Sequence, residues 1–349
     1  MQALTVRPGT AGSLAVTEVP DPDPAYGDLL VQGLALGVCG TDREIADGDF
    51  GAAPPGRDVL VLGHESLGRV LEAPEGSGFS AGDLVAGVVR RPDPEPCGAC
   101  AHGQFDMCRN GRYTERGIKE LDGYGSRLWR VESEYAIRLD PSLEQSGVLM
   151  EPTSVVAKAW DQIEKVGNRA WFEPRTVVVT GAGPIGLLAA MLGVQRGLDV
   201  HVVDLVTEGR KPELVRDLGG QYHSDPVAEV LGRLRPDIVI EATGASQVVL
   251  PTLGGTSPYG ITCLTGVSSA GRTTSVDAGA LNRDLVLEND VVIGSVNANF
   301  EHYSAAAQAL AAADGEWLGR LVTRTVPLER AAEAFETDDD DVKVVLDLT

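Results

Sequence analysis

The stretch that most restricts the fold is Thr176-Val177-Val178-Val179-Thr180-Gly181-Ala182-Gly183-Pro184-Ile185-Gly186, a β-branched run that enters G-x-G-x-x-G and continues into Leu187-Leu188-Ala189-Ala190-Met191-Leu192. This pattern encodes a buried strand that turns sharply into a helix. Gly181 permits the tight turn, Gly183 lets a pyrophosphate approach the backbone, and Gly186 lets the helix pack closely on the strand. The helix N-terminus then turns its open N–H groups toward the phosphates. A G-x-G-x-x-G alone is a weak signal; a strand before it and a helix after it make it strong. Asp204 follows Val200-His201-Val202-Val203, 18 residues beyond Gly186. There a second strand ends, and a carboxylate accepts hydrogen bonds from the adenosine ribose. Thr176 to Gln195 is uncharged and about as long as a membrane span, but its glycines, proline and β-branched start favour strand, turn and helix.

Further strands are expected in Asp237–Ala242, Gly260–Gly266 and Val291–Val296, alternating with helical stretches, so the sheet should be parallel and doubly wound. Met1 to Leu149 reads differently. Short alternating segments at 3–6, 28–36 and 68–73, and a turn-to-strand step at 79–86, suggest a compact barrel-like module without long helices. After Asn297 an Ala-rich helix is expected over Tyr303–Ala313, another helix over Leu328–Phe335 and a last strand over Val342–Leu348, with Asp338 to Asp341 a solvated turn. At 349 residues, two domains are expected.

Chemistry concentrates in three places in the first half: Cys39-Gly40-Thr41-Asp42, Val61-Leu62-Gly63-His64-Glu65-Ser66 and Glu151-Pro152. A thiolate, an imidazole and one or two carboxylates suit a four-coordinate Zn²⁺, and three firm protein ligands leave a position open for substrate. The bland alternative is a buried cysteine and a core histidine. Cys97, Cys100 and Cys108 form a second cluster, suited to a structural zinc. A closed site wants four ligands, and Asp93, Glu95, His102 and Asp106 are all near in sequence. The run Tyr113-Thr114-Glu115-Arg116-Gly117-Ile118 reads as a loop, where a carboxylate is ordinarily solvated. Glu151 opens a helical pattern through Val155, Val156, Ala159, Trp160 and Ile163, and helix N-terminus physics alone would explain it.

Charge narrows the function. With 51 acidic against 29 basic residues, the net charge is −22, and only five residues are lysine. Such a surface disfavours nucleic acid and anionic membranes and suits a salt-rich cytoplasm, where screening removes self-repulsion. The first twenty residues carry Arg7 and Glu18 and no continuous apolar run, so a cytoplasmic location is expected.

The order Cys39, Gly63-His64-Glu65, cysteine cluster, Glu151-Pro152 and G-x-G-x-x-G resembles the zinc-dependent medium-chain dehydrogenase superfamily over essentially the whole chain. Within it, Cys39-Gly40-Thr41-Asp42-Arg43-Glu44, Tyr113-Thr114-Glu115-Arg116-Gly117, Glu241-Ala242-Thr243-Gly244 and Gly294-Ser295-Val296-Asn297 look most like the archaeal-type glucose 1-dehydrogenases. The resemblance implies an α/β fold: a GroES-like β-rich catalytic domain over 1–155, completed by 298–349, and a Rossmann NAD(P)-binding domain over 156–297, with the catalytic zinc in the cleft between them. It implies Cys39, His64, Glu65 and Glu151 as the catalytic metal region, and Thr41, Glu115, Glu151 and Asn297 as sugar contacts. Thr41, Glu65 and Glu151 are then the expected catalytic residues, Thr41 taking the substrate proton and passing it toward Glu44. The cofactor set is Gly181, Gly183, Pro184, Ile185, Gly186 and Asp204, with Gly266 and Val296 at the ends of later strands.

Two departures stand out. The cysteine cluster lacks one of the family's four thiols, and Asp204 is not followed by the paired arginines of NADP-preferring relatives. NAD is therefore expected to serve at least as well as NADP. The expected reaction is oxidation of an aldose, glucose first, at its anomeric carbon to the lactone, by a homo-oligomer, dimer or tetramer. A zinc-dependent alcohol or polyol dehydrogenase is the alternative, and a non-catalytic dinucleotide-binding redox sensor a second one, which would need neither Cys39 nor His64.

Overall fold

The computed structural model describes residues 1–268 and 273–349. The chain forms two compact units, Met1–Ser154 with Ala298–Thr349, and Val155–Asn297.

In the second unit the described residues build a six-stranded sheet in the order Gln221–His223, Asp199–Val203, Thr176–Thr180, Ile238–Glu241, Ile261–Leu264 and Val291–Gly294. Every pairing in it is parallel. The strand that comes first in the chain, Thr176–Thr180, lies inside the sheet, and the winding direction reverses between it and Ile238–Glu241. In open parallel sheets ligands bind in the crevice at the carboxyl end of such a switch point. Val177, Val178 and Val179 are fully buried because a parallel sheet is covered on both faces. The helix that follows, Pro184–Gln195, is apolar all round and buried from Gly186 to Gly193. A Cβ on Gly186 would run into the carbonyl oxygen of Gly181, so the close approach of helix to turn depends on that glycine. Trp160 fixes the helix Met150–Gly167 against it through Nε1 donating to the Ala189 carbonyl at 3.2 Å. The uncharged stretch from Thr176 is thus strand, turn and helix, and no helix among the described residues is long and apolar enough to cross a membrane.

The first unit is organised by the ten-residue strand Leu29–Val38, which pairs antiparallel with Glu65–Glu72, with Leu128–Val131 and with the C-terminal strand Lys343–Asp347. With Leu84–Gly87, Ala136–Arg138 and Val322–Pro327 these make a seven-stranded sheet among the described residues. One face carries the core of Leu29, Val31, Leu36, Val70, Val85, Trp129 and Leu346. The register brings distant residues to one end of the sheet: Gly37 lies opposite Glu65, and Val38 opposite Val344. Cys39, Glu65 and Lys343 therefore meet, although 278 residues separate the last two.

Three sequence expectations shift. The Ala-rich helix runs over Phe300–Ala311, starting earlier because Asn299 caps it by accepting from the N–H of Glu301 and His302. Leu328–Phe335 is 3₁₀ rather than α, with a break at Arg330. The run around Glu115 is not a solvated loop: Thr114–Arg116 is a strand paired to Arg90–Arg91, and Glu115 is buried.

Candidate metal and cofactor sites

Cys39 precedes the short helix Gly40–Ala46, and its N–H donates to Asp42 Oδ2 at 2.9 Å, which turns the Asp42 carboxylate back over the helix start. Asp42 Oδ1 then stands 3.4 Å from His64 Nδ1, both atoms buried and neither in a well-aligned hydrogen bond. The other ring nitrogen, His64 Nε2, faces Cys39 Sγ at 3.2 Å. A carboxylate beside one imidazole nitrogen keeps the proton there and aims the opposite lone pair at a metal. Glu65 completes the group: the ligand atoms of Cys39, His64 and Glu65 all lie within 4.8 Å of one another.

Glu65 is held in two ways. Lys343 Nζ donates to both of its oxygens, at 2.8 and 2.5 Å, and also reaches the Val38 carbonyl at 3.4 Å. On the facing strand a Cβ at Gly37 would collide with Glu65 Oε2. Lys343 is itself buried, and although burial pulls its pKa down, Glu65 and Cys39 hold it above the ordinary lysine value.

The charges suit a cation. Burial lifts the Cys39 thiol above its ordinary pKa, Asp42 lifts it further, and His64 opposes both. Burial depresses His64, but Cys39 and Asp42 outweigh it and raise the imidazole well above its usual value. Asp42 stays below the usual carboxylate range despite burial, because His64 lies beside it. Glu151, second residue of the helix Met150–Gly167, is pushed up to about 7 by burial and by Glu65, against the pull of His64 and Lys343. Four acidic groups, Cys39, Asp42, Glu65 and Glu151, thus share two basic ones, Lys343 and His64. Thiolate, imidazole and carboxylate donors around that deficit fit Zn²⁺. Glu151 is not among the atoms clustered within 4.8 Å. Thr41 is half-buried in the first turn of Gly40–Ala46, and Glu44 is exposed.

Cys97, Cys100 and Cys108 also converge, with ligand atoms within 4.8 Å. Backbone N–H groups of Arg109 and Cys100 lower the Cys97 thiol to about 6, while burial pushes Cys100 up to about 11. Among the described residues no fourth side chain joins them. His102 Nδ1 lies against the Gly98 carbonyl, Asp106 accepts from Asn299 Nδ2 at 3.0 Å, and Arg112 ion-pairs with Asp93 and Glu95.

In the second unit the G-x-G-x-x-G turn has Gly181 at φ +90°. Asp204 Oδ2 accepts from the Ala182 N–H at 2.6 Å, and Oδ1 from Leu205 and Val206, so this carboxylate braces the turn as well as ending its strand. Across the switch point Glu241 accepts from Thr180 and from the N–H of Thr243 and Gly244, shaping a second turn. Gly266 packs so closely on that turn that a Cβ would strike the Gly244 nitrogen. Val296 is exposed, and its carbonyl accepts from the buried Lys158 at 2.8 Å. Asn297 takes a left-handed conformation, φ +64°.

Asp42, Lys343, Lys158 and Glu241 also organise these sites, beyond the residues expected from the sequence. Asp42 carried a signal, standing three residues after Cys39 where a helix first turn reaches back. Lys343 and Lys158 carried none, since their partners are remote in the chain.

The chain matches two family models, an alcohol dehydrogenase GroES-like domain over residues 25–141 and a glucose dehydrogenase C-terminus over residues 144–348. It is 40% identical to glucose 1-dehydrogenase of Methanocella arvoryzae, over 100% of this chain and 99% of that protein. Identity to the Thermoproteus tenax glucose 1-dehydrogenase is 41%, over 99% of each. The fold superimposes on that of Haloferax mediterranei glucose dehydrogenase in complex with NADP, Zn and gluconolactone, with a TM-score of 0.91 at 33% identity over 100% of this chain and 99% of that one.

Proposed function

The chain belongs to the glucose dehydrogenase family of the zinc-dependent medium-chain dehydrogenases, and on that premise we propose that it oxidises glucose at the anomeric carbon to gluconolactone with NAD(P)⁺. The C1 hydrogen leaves as hydride to the nicotinamide, the anomeric hydroxyl loses its proton, and the products are the lactone, NAD(P)H and H⁺. The observation that carries this reading is the convergence of Cys39, His64 and Glu65 ligand atoms within 4.8 Å.

Cys39 and His64 hold the zinc, with Glu65 and Glu151 supplying carboxylates beside it. Zinc, when bound, is a Lewis acid that makes the anomeric hydroxyl acidic at neutral pH. Asp42 fixes the His64 tautomer, and Lys343 balances the charge of Glu65. Thr41 takes the proton at its Oγ1 and hands it toward Glu44 and solvent. Glu115, Glu151 and Asn297 contact the sugar hydroxyls. Gly181, Gly183, Pro184, Ile185 and Gly186 would cradle the pyrophosphate, and Gly266 and Val296 would line the same cofactor site. Cys97, Cys100 and Cys108 offer three thiolates to a structural zinc.

NAD⁺ serves at least as well as NADP⁺, because the Asp204 carboxylate at the ribose repels a 2′-phosphate. Arg210 and Lys211, at the start of the helix Arg210–Asp217, are the counterweight. The chain works as a homo-oligomer. Helix Ala278–Glu288 buries none of its residues, Val276 just before it and Val286 and Leu287 within it are exposed, and Val291–Gly294 is an uncharged edge strand. A second copy of this surface, related by two-fold symmetry, covers both the apolar side chains and the open edge; light scattering on the purified protein reads the mass.

Turnover of glucose, galactose, xylose, sorbitol and ethanol, each with both cofactors, tests the reading. Glucose should lead in kcat/KM. Sorbitol or ethanol ahead of every aldose would make the enzyme a polyol or alcohol dehydrogenase, and a preference for NADP⁺ of about a hundredfold would overturn the role of Asp204.

A further inference from the structure

Glu115 and Arg90 are directly opposed in an antiparallel strand pair, and both are buried, at 7% and 6% exposure. Arg90 Nε and Nη2 donate to the same Glu115 oxygen, Oε1, at 3.0 and 2.9 Å. The remaining arm, Nη1, donates to the Asp106 carbonyl at 3.0 Å, two residues before Cys108. The face of the guanidinium lies 3.6 Å from the centre of the Tyr113 ring, and that ring carries Lys119 Nζ at 4.3 Å. Lys119 is tethered in turn to the Gly111 carbonyl at 2.6 Å. Every edge of this guanidinium, and one face, is therefore spoken for, and a carboxylate bonded to it inherits its orientation.

We propose that Arg90 is the positioning residue for sugar recognition, fixing the plane of the Glu115 carboxylate so that it meets the hydroxyls of an aldose in one orientation. The proposal rests on the reading of Glu115 as a sugar contact. A buried carboxylate without a partner takes up a proton or turns toward solvent. Arg90 is that partner, and with Oε1 engaged twice the carboxylate's rotation is restricted. Ordering the carboxylate before the sugar arrives lowers the cost of binding it. An ammonium at this position keeps the charge but has no planar fork, no third arm for the Asp106 carbonyl and no flat face for Tyr113. Orientation and charge are thus separable by one substitution, Arg90→Lys.

The test is steady-state kinetics with glucose on zinc-loaded Arg90→Lys, Glu115→Gln and the double variant, with melting temperature and zinc content measured on each. Glu115→Gln should raise the KM for glucose about tenfold while kcat changes about threefold or less, the pattern of lost ground-state binding. Arg90→Lys should raise KM by a similar factor, leaving the KM for NAD⁺ within about twofold of wild type. The double variant should be no worse than Glu115→Gln alone, because a residue that acts through Glu115 has nothing left to orient. If Glu115→Gln leaves KM unchanged, the sugar-contact reading falls and this proposal with it. If Glu115→Gln raises KM but Arg90→Lys does not, or if the two effects multiply in the double variant, the sugar contact stands and the positioning role of Arg90 is wrong. Should Arg90→Lys fail to fold, Tyr113→Leu decides: it removes the ring beneath the guanidinium and keeps both buried charges. KM should then rise about threefold with kcat retained, and an unchanged KM overturns the proposal.

Discussion

At the scale of single residues the metal site is a balance of buried charges, and one of its members, Lys343, has no signal in the sequence around it. Lys343 is fully enclosed with Glu65, so replacing it by methionine leaves a carboxylate buried without its cation. Breaking such a pair costs about 3–5 kcal/mol; Lys343→Met should lose that much in urea denaturation of the zinc-free protein, and less once zinc is bound to share the charge of Glu65. Titration gives a second prediction. The carboxyl of Glu151 has an ordinary value of 4.5 and rises to about 7 in the fold, so between those values the folded state binds the extra proton and stability falls as pH climbs. His64, raised well above its usual 6.5 by Cys39 and Asp42 despite burial, adds stability that is present below that value and lost as pH rises through its folded one. The melting temperature of chelated enzyme should therefore decline from pH 5 to 8.5, less steeply in Glu151→Gln, while zinc affinity rises over the same range as protons leave its ligands. A chelated protein that gains stability across that range contradicts the assignment. Cys39, His64 and Glu65 were legible because their types and order are unusual together. Glu115 was misread because a three-residue strand, Thr114–Arg116, shows no periodicity long enough to see, and its burial depends on Arg90, 25 positions away.

Among the elements, the centre of the parallel sheet was the most readable part, since Thr176–Thr180, Ile238–Glu241 and Val291–Gly294 are rich in β-branched residues and the first turn carries three glycines at fixed offsets, whereas the edge strand Gln221–His223 has no such run and gave no signal. The barrel-like unit was readable only as a class. Its central strand Leu29–Val38 is closed by Lys343–Asp347 from the far end of the chain, a pairing that no local pattern encodes. Secondary-structure edges moved for local reasons, as when the cap at Asn299 started a helix three residues before the expected Tyr303. The junction of turn and helix at Gly186 offers the cleanest test at this scale. A methyl group there meets the Gly181 carbonyl, and overpacking of that kind costs about 1–3 kcal/mol. Gly186→Ala should weaken NADH binding, read by nicotinamide fluorescence, by about tenfold or more while zinc content stays unchanged. Wild-type affinity for NADH in that variant would separate the turn from the cofactor.

For the molecule as a whole, the −22 charge dominates. Folding concentrates carboxylates that the unfolded chain spreads apart, so low ionic strength penalises the compact state and subunit association. At about 1 M salt the Debye length is about 3 Å, and most of that repulsion is screened. Melting temperature and activity should rise with KCl into the molar range; sulfate should raise them further, because excluded salts also strengthen apolar burial. A melting temperature that is flat or falls between dilute buffer and molar KCl would leave the acidic surface without this role. The most direct test of the central claim is made on the intact enzyme in molar KCl. Zinc is removed by chelation, glucose oxidation is followed as NAD(P)H absorbance, and zinc is then titrated back into wild type and His64→Ala. Activity should vanish with the metal and return in wild type at one zinc per catalytic site, while His64→Ala stays inactive and still binds NADH. Undiminished glucose oxidation by the zinc-free enzyme or by His64→Ala would contradict the account.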